Sequence, residues 1–219
     1  MSGAGGRGKS FVLNTVAQRL HLDNIPFVKL APTGIAADNI GGHTLDRFIQ
    51  IPPDLYDMGK SVEWICQQHM TKSRLMPLLQ VETIIIDEIS MVSAKKLSVL
   101  DLRLQLANQN NKPFGGKQVL FFGDFLQLEP IEGGSRKTPL KTPKVEKSIM
   151  CFHSQSWKRL ISYQNSLELM ENYRQKDPEF GAFLDAARVR IAYAYGSLSQ
   201  NFVLCIGRYR NRCTSTSVN

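Results

Sequence analysis

The sequence predicts an α/β fold built on a parallel sheet with helices on both faces. Three observations carry that reading. Short apolar runs alternate with helix-period segments along most of the 219 residues. Runs such as Ile84-Ile85-Ile86 and "VLFF" have no polar alternation, as in strands buried on both faces. Thr33, Asp87, Asp124 and Gln127 each close or follow such a run, and parallel sheets bind ligands at the carboxyl ends of their strands.

The elements follow in order. Gly3 to Ser10 read G-x-x-x-x-G-K-S, the pattern of a phosphate-binding loop. Leu13, Val16, Ala17 and Leu20 then share one helical face. Such a loop follows a buried strand, yet only Met1 and Ser2 precede Gly3. The expectation is a sheet whose central first strand is missing, in a chain clipped at both ends. Buried neighbours left unpaired would cost about 1–3 kcal/mol per group, against a domain stability of about 5–15 kcal/mol. "IPFVKLAPTG" is a strand ending in a Pro-Thr-Gly turn, and "VETIIIDEIS" a buried strand ending at Asp87. Ser93 is placed to cap a helix carrying Leu97, Leu100 and Leu104 on one face. "KPFGGKQ" reads as a loop, "VLFFGDF" as a strand, and "NSLELMENYR" as a short strand and a polar turn. Asp177-Pro178 opens a helix lined by Phe180, Phe183, Leu184 and Ala187. Residues 133–147 are an exposed loop by composition. The motor-like pattern spans 1–190; residues 191–219 lose it and read as a divergent, basic, poorly ordered tail.

Composition narrows the function classes. At 42% hydrophobic and 21% charged residues, the chain is of the globular class. No apolar run reaches membrane-span length and the first ten residues are polar and glycine-rich, so an intracellular protein with no membrane partner is expected. Cys66, Cys151, Cys205 and Cys213 form no C-x-x-C pair, so neither a zinc ribbon nor a disulfide framework is suggested. Cys66 and His69 have a ligand-like spacing, but with no second pair they read better as helical residues near the core. The net charge of +8 is one-sided. Residues 1–134 carry 13 basic and 13 acidic side chains, residues 135–219 carry 14 and 6. The basic third suits a polyanion such as DNA, or is a solvated surface.

The chemistry is that of phosphates. Backbone N–H groups from Gly3, Gly5, Gly6, Arg7 and Gly8 can wrap a polyphosphate such as that of ATP, helped by the positive end of the following helix. Lys9 is suited to bridge the β- and γ-phosphates and Ser10 to hold Mg²⁺. Asp87, ending a buried strand, is a second Mg²⁺ ligand of the expected kind, and Glu88 a general base for the attacking water. Gln127 is suited to sense the γ-phosphate, with Asp124 holding its loop or approaching the metal. Arg174 is a candidate arginine finger, or a surface charge. Against these stand plainer readings: a tight turn before a helix, an acidic turn after a strand, a polar loop. Two other functions stay open, a different phosphate-loop ATPase or nucleotide kinase, and a DNA-binding remnant without hydrolysis.

"APTGIAADNIGGHTL", "IIIDEISMVS", "KPFGGKQVLFFGDFLQL" and "ENYRQKDPEFGAFL", in this order after the loop, resemble the Pif-type (petite integration frequency) DNA helicases of superfamily one. They also resemble the helicase part of rolling-circle, Helitron-type transposons, a branch of that family. The resemblance implies a RecA-like motor domain. It further implies an ATP- and Mg²⁺-dependent enzyme that moves 5′ to 3′ on single-stranded DNA and unwinds duplex DNA. The family acts in DNA repair, recombination and telomere maintenance, in the nucleus or mitochondrion of eukaryotes. Its catalytic residues fall on Lys9, Ser10, Asp87, Glu88, Gln127 and Arg174. Its DNA-backbone motif falls on Pro32, Thr33 and Gly34, with Gly42, His43 and Thr44 just beyond. Thr33 is suited to donate its hydroxyl to a phosphate, and Phe48 belongs either under a stacked base or in the core. Several features depart from the family: Asp46 where a histidine is usual, Glu129 where proline is usual, "KKLSVLDLRLQLANQN" without the usual signature wording, no upstream glutamine segment that reads adenine, and no match to the second motor domain after Arg190. The chain is thus expected to be an inactive or weakly active half-motor.

Overall fold

The computed structural model describes residues 1–52, 54–57, 60–68, 71–128, 130, 150–171, 177, 180, 181, 183 and 186. Two compact units, Met1–Arg174 and Gln175–Asn219, divide the chain. In the second, the Asp177 carboxylate accepts the Phe180 N–H at 3.2 Å, as a helix cap does. The expected loop at 133–147, Glu129, His69 and Arg174 lie outside the described residues.

The first unit is built on a parallel sheet. After helix α1 (Lys9–Leu22) come strand β1 (Phe27–Ala31), α2 (Gly34–Asn39), β2 (His43–Thr44) and α3 (Leu45–Ile49). Short helices α4 (Asp54–Asp57), α5 (Val62–Gln67) and α6 (Lys72–Gln80) lead into β3 (Thr83–Ile86). Helix α7 (Ala94–Ala107), β4 (Gln118–Phe121) and α8 (Gln155–Leu160) complete it. The strand order is β2-β1-β3-β4. Phe27–Leu30 pair in register with Thr83–Ile86, and these with Gln118–Phe121.

Strand β3 is the middle of the packing: all four residues are buried. Successive strand side chains point to opposite faces. Ile84 and Ile86 therefore join Leu97, Leu100, Leu104 and Phe114 on one side, and Ile85 joins Leu13, Ala17 and Leu20 of α1 on the other. Each such side chain contributes about 1.5–3 kcal/mol by leaving water. Ser93 caps α7 by accepting the Lys96 N–H at 3.2 Å. Phe48 is 6% exposed and belongs to the first core, which settles its place.

The position before the phosphate loop is held by Met1 and Ser2. Ser2 makes one parallel bridge to Gly123 and one to Glu168. The Ser2 N–H donates to the Leu167 carbonyl and the Leu169 N–H to the Ser2 carbonyl, both at 2.8 Å. The expected strand in "NSLELM" is this single bridge and not a ladder. The place is central, with partners on both sides, but it is two residues long.

Candidate functional site: a phosphate-loop cleft and a threonine strip

The loop preceding α1 turns at Gly6 and Gly8, whose φ angles of 80° and 83° lie in the left-handed region. Gly8 caps α1 with no side-chain hydrogen bond, and the first turn carries no acidic residue. Its N–H groups and the positive end of the helix are therefore left for an anion. Lys9 folds back across the loop, its Nζ donating to the Gly3 carbonyl at 2.7 Å and the Ala4 carbonyl at 3.2 Å.

Opposite the loop lie the ends of β3 and β4. Asp87 follows β3 and is 8% exposed. Glu88 comes next with φ 49° and ψ 45°, a left-handed conformation rare outside glycine. Two hydrogen bonds hold it there: Glu88 N–H to Asp87 Oδ1 and Ile89 N–H to the Phe122 carbonyl, both at 2.9 Å. Behind them Gly123 packs so closely that a Cβ would stand 2.9 Å from Ile89 Cγ2. Asp124, 2% exposed, accepts the Leu126 N–H on Oδ1 at 3.1 Å and the Gln127 N–H on its carbonyl at 3.1 Å. That turn points Gln127 at the loop: its Nε2 lies 3.5 Å from the place a Cβ on Gly5 would take.

Between these walls is a cleft of about 520 Å³ lined by Gly5, Gly6, Gly8, Lys9, Ser10, Phe11, Asp87, Glu88 and Gln127. Its electrostatics are those of crowded acids. Burial pushes the Asp87 carboxyl above its ordinary value, against the Glu88 N–H bond and the Lys9 charge, which lower it. Glu88 is raised by burial and by the neighbouring Asp87 charge, with Asp124 adding to it and Lys9 opposing. A raised carboxylate is a better proton acceptor near neutral pH. Of the expected loop residues, Gly3 and Arg7 do not line the cleft. A Cβ on Gly3 would lie 3.1 Å from the Leu169 carbonyl oxygen, and Arg7 Nη1 donates to that same oxygen at 3.3 Å.

The residues matched to the DNA motif form a second group, at the carboxyl ends of β1 and in β2. Thr33 caps α2 by accepting the Ala36 N–H at 3.2 Å, and Thr44 caps α3 by accepting the Arg47 N–H at 3.3 Å. Each hydroxyl keeps its hydrogen for another acceptor. Pro32 is half-buried; Thr33, Gly34 and His43 are exposed. Gly42 lies against β1, where a Cβ would stand 2.3 Å from the Lys29 carbonyl oxygen. Asp46, which stands where the family usually has a histidine, brings a carboxylate to this strip. Its Oδ2 is paired with Lys96 Nζ of α7 at 3.0 Å, which offsets that charge.

Sequence reasoning missed the Asp101 hub. This buried carboxylate accepts the Phe114 N–H at 2.7 Å, Gln105 Nε2 at 2.6 Å and Arg159 Nη2 at 3.0 Å, tying α7 to the "KPFGG" turn and to α8. The signal available was an acidic residue inside the apolar period of α7.

A parallel sheet, a phosphate loop opening α1, and an Asp-Glu pair beyond the buried middle strand define a RecA-like phosphate-loop domain. The PIF1-like helicase profile matches residues 1–184. The chain belongs to the PIF1-like helicase family. Human ATP-dependent DNA helicase PIF1 is 35% identical over 191 residues, which are 86% of this chain and 26% of the human protein. ATP-dependent DNA helicase RRM3 of Saccharomyces cerevisiae is 32% identical over 90% of this chain and 25% of its own length. The crystal structure of Pif1 helicase from Candida albicans superposes with a TM-score of 0.71 at 34% identity, covering 85% of this chain and 39% of that one. Pif1 helicase from Bacteroides in complex with ADP-AlF3 and ssDNA gives 0.66 at 29% identity, covering 91% and 43%. The chain thus spans about a quarter of the length of these curated relatives.

Proposed function

We propose that this chain is the first motor domain of an ATP-dependent 5′-to-3′ DNA helicase. Such an enzyme couples ATP hydrolysis to translocation on single-stranded DNA and unwinding of duplex DNA, in repair, recombination and telomere maintenance. The observation that carries the reading is the convergence of Lys9, Ser10, Asp87, Glu88 and Gln127 on one cleft. ATP and Mg²⁺ fit the donor set. Gly5, Gly6 and Gly8 supply the loop, Lys9 a charge that now donates to two carbonyls, and Ser10 with Asp87 the hard oxygen atoms a small divalent cation takes. When bound, the nucleotide supplies the phosphoanhydride and Mg²⁺ the positive charge at its oxygens. Glu88 takes the proton of a water on its carboxylate, and burial has already raised its basicity. Gln127 reports whether the terminal phosphate is present, and Asp124 sets its direction. Arg174 is kept as the arginine finger. Pro32, Thr33, Gly34, His43 and Thr44 position the strand by its phosphates without reading sequence.

The family's work on DNA supports a site inside the cell, in the nucleus or mitochondrion of a eukaryote. Among the described residues no helix is long and apolar enough to cross a membrane. The cleft is one wall of the hydrolytic site, and the resemblance implies a second motor domain for the other. This chain alone therefore binds ATP and turns it over slowly or not at all. The test is ATP binding and hydrolysis by the purified chain, with and without single-stranded DNA, beside Glu88→Gln. Binding retained in Glu88→Gln, with any turnover reduced about 10²- to 10⁴-fold, is expected. No ATP binding, or turnover indifferent to the substitution, overturns the reading. Brisk DNA-stimulated turnover lost in Glu88→Gln overturns only the half-motor part.

A further inference from the structure

The cleft walls are loop backbone or polar and charged side chains with one exception, Phe11. This residue stands in the first turn of α1, directly after Ser10, and is 76% exposed. Helix α1 packs by Leu13, Ala17 and Leu20, and Phe11 lies about 200° around the helix from Leu13. The position calls for a polar residue, and leaving a phenylalanine there forgoes burial. Everything else in the cleft suits phosphate and metal: glycine N–H groups, Lys9, Ser10 and the carboxylates. None of these offers a surface for an aromatic heterocycle.

We propose that Phe11 is the platform on which the nucleobase lies, so that the cleft binds a nucleoside triphosphate and not merely a polyphosphate. This rests on the reading of the cleft as an ATP site and names its base-binding wall. A lone aromatic face grips by stacking, and every base has a π-face. The contact therefore adds affinity without choosing among bases.

The experiment is calorimetric titration of the full chain with ATP, GTP and inorganic tripolyphosphate, in Mg²⁺. The wild type, Phe11→Ala, Phe11→Tyr and Lys9→Ala are compared. Phe11 is exposed, so its substitutions leave the fold intact, and circular dichroism checks this. Phe11→Ala is expected to weaken ATP and GTP alike, by roughly tenfold, as loss of one stacked face does. Tripolyphosphate affinity stays at the wild-type value and Phe11→Tyr restores both nucleotides. Lys9→Ala weakens all three ligands. Unchanged nucleotide affinity in Phe11→Ala, or an equal loss for tripolyphosphate, overturns the platform while leaving the ATP site standing. A wild-type chain that binds neither ATP nor tripolyphosphate overturns the ATP site and the platform with it.

Discussion

The phosphate-loop cleft and the threonine strip sit at the carboxyl ends of the same sheet, yet they hold polar groups in opposite ways. In the strip, Thr33 and Thr44 spend an acceptor position on capping their own helices, and Asp46 is paired with Lys96. In the cleft, Asp87, Glu88 and Asp124 crowd together with burial raising the first two, and Lys9 is the cation acting on both. The strip is a surface whose threonines and Asp46 each have a local partner. The cleft concentrates desolvated charge that folding alone would not select. Proton transfer needs such a perturbed carboxylate, whereas holding a phosphate backbone does not. The two regions are thus separable by mutation.

The largest effect belongs to the cleft. Lys9→Ala removes the cation that offsets Asp87 and Glu88, and ATP affinity measured by calorimetry is expected to fall roughly 10- to 100-fold. Equal affinity in the variant would take Lys9 out of the site. Next come two glycines, one behind each region. Gly42→Ala drives a Cβ to 2.3 Å from backbone oxygen of β1, and Gly123→Ala to 2.9 Å from a methyl and 3.0 Å from the backbone nitrogen of Ile89. The first overlap is the deeper. Gly42→Ala should therefore cost about 3 kcal/mol in urea unfolding and Gly123→Ala about 1–2 kcal/mol. Gly123→Ala should also disturb Glu88, because Ile89 is the next residue, whereas Gly42→Ala leaves nucleotide affinity alone. The reverse ranking would break the contrast.

Much of this was legible in the sequence, for a physical reason. The buried strand before Asp87, the α7 cap at Ser93 and the loop before α1 are local: a few adjacent residues dictate each. Gly6 and Gly8 are glycine because the loop turns through positive φ there. Contacts across long separations were hidden. Asp46 meets Lys96 fifty residues on, so its charge could be read but not its partner. Gly3 and Arg7 fit the loop pattern, yet the Leu169 carbonyl, 162 residues beyond Arg7, accepts from that side chain, and neither residue lines the cleft. The left-handed Glu88 was invisible too, because the Phe122 carbonyl that fixes it comes from the neighbouring strand's end.

The acids of the cleft also predict a pH response. Asp87 and Glu88 have folded-state values above their ordinary 3.8 and 4.5. Below about pH 3, under both ordinary values, the two carboxyls are protonated folded or unfolded, and they take nothing from stability. As pH rises through the weakly acid range they ionise first in the unfolded chain, which then binds fewer protons, so stability falls until the folded values are passed. Asp87→Asn and Glu88→Gln remove that burden. Each variant should be more stable than the wild type at pH 7 in urea titrations, with the gap closing toward about pH 3. A gap that widens as the pH falls would mean the carboxylates are stabilised in the fold, contrary to their burial.

The smallest effects belong to the strip and sharpen the comparison most. Thr33→Ala and Thr44→Ala each remove a helix cap, worth about 1 kcal/mol in unfolding. Each also removes an uncharged O–H suited to a DNA phosphate. Single-stranded DNA affinity, measured in the longest soluble form of the protein, should fall roughly 2- to 10-fold per substitution. The slope of affinity against salt should stay the same, because a hydroxyl displaces no counterion. Thr33→Ser and Thr44→Ser keep both the cap and the donor, so stability and affinity return together. Stability lost without any change in DNA affinity would make these threonines caps alone. The strand would then be held elsewhere, and the strip's locally partnered groups would mark a structural edge of the sheet and not a binding surface.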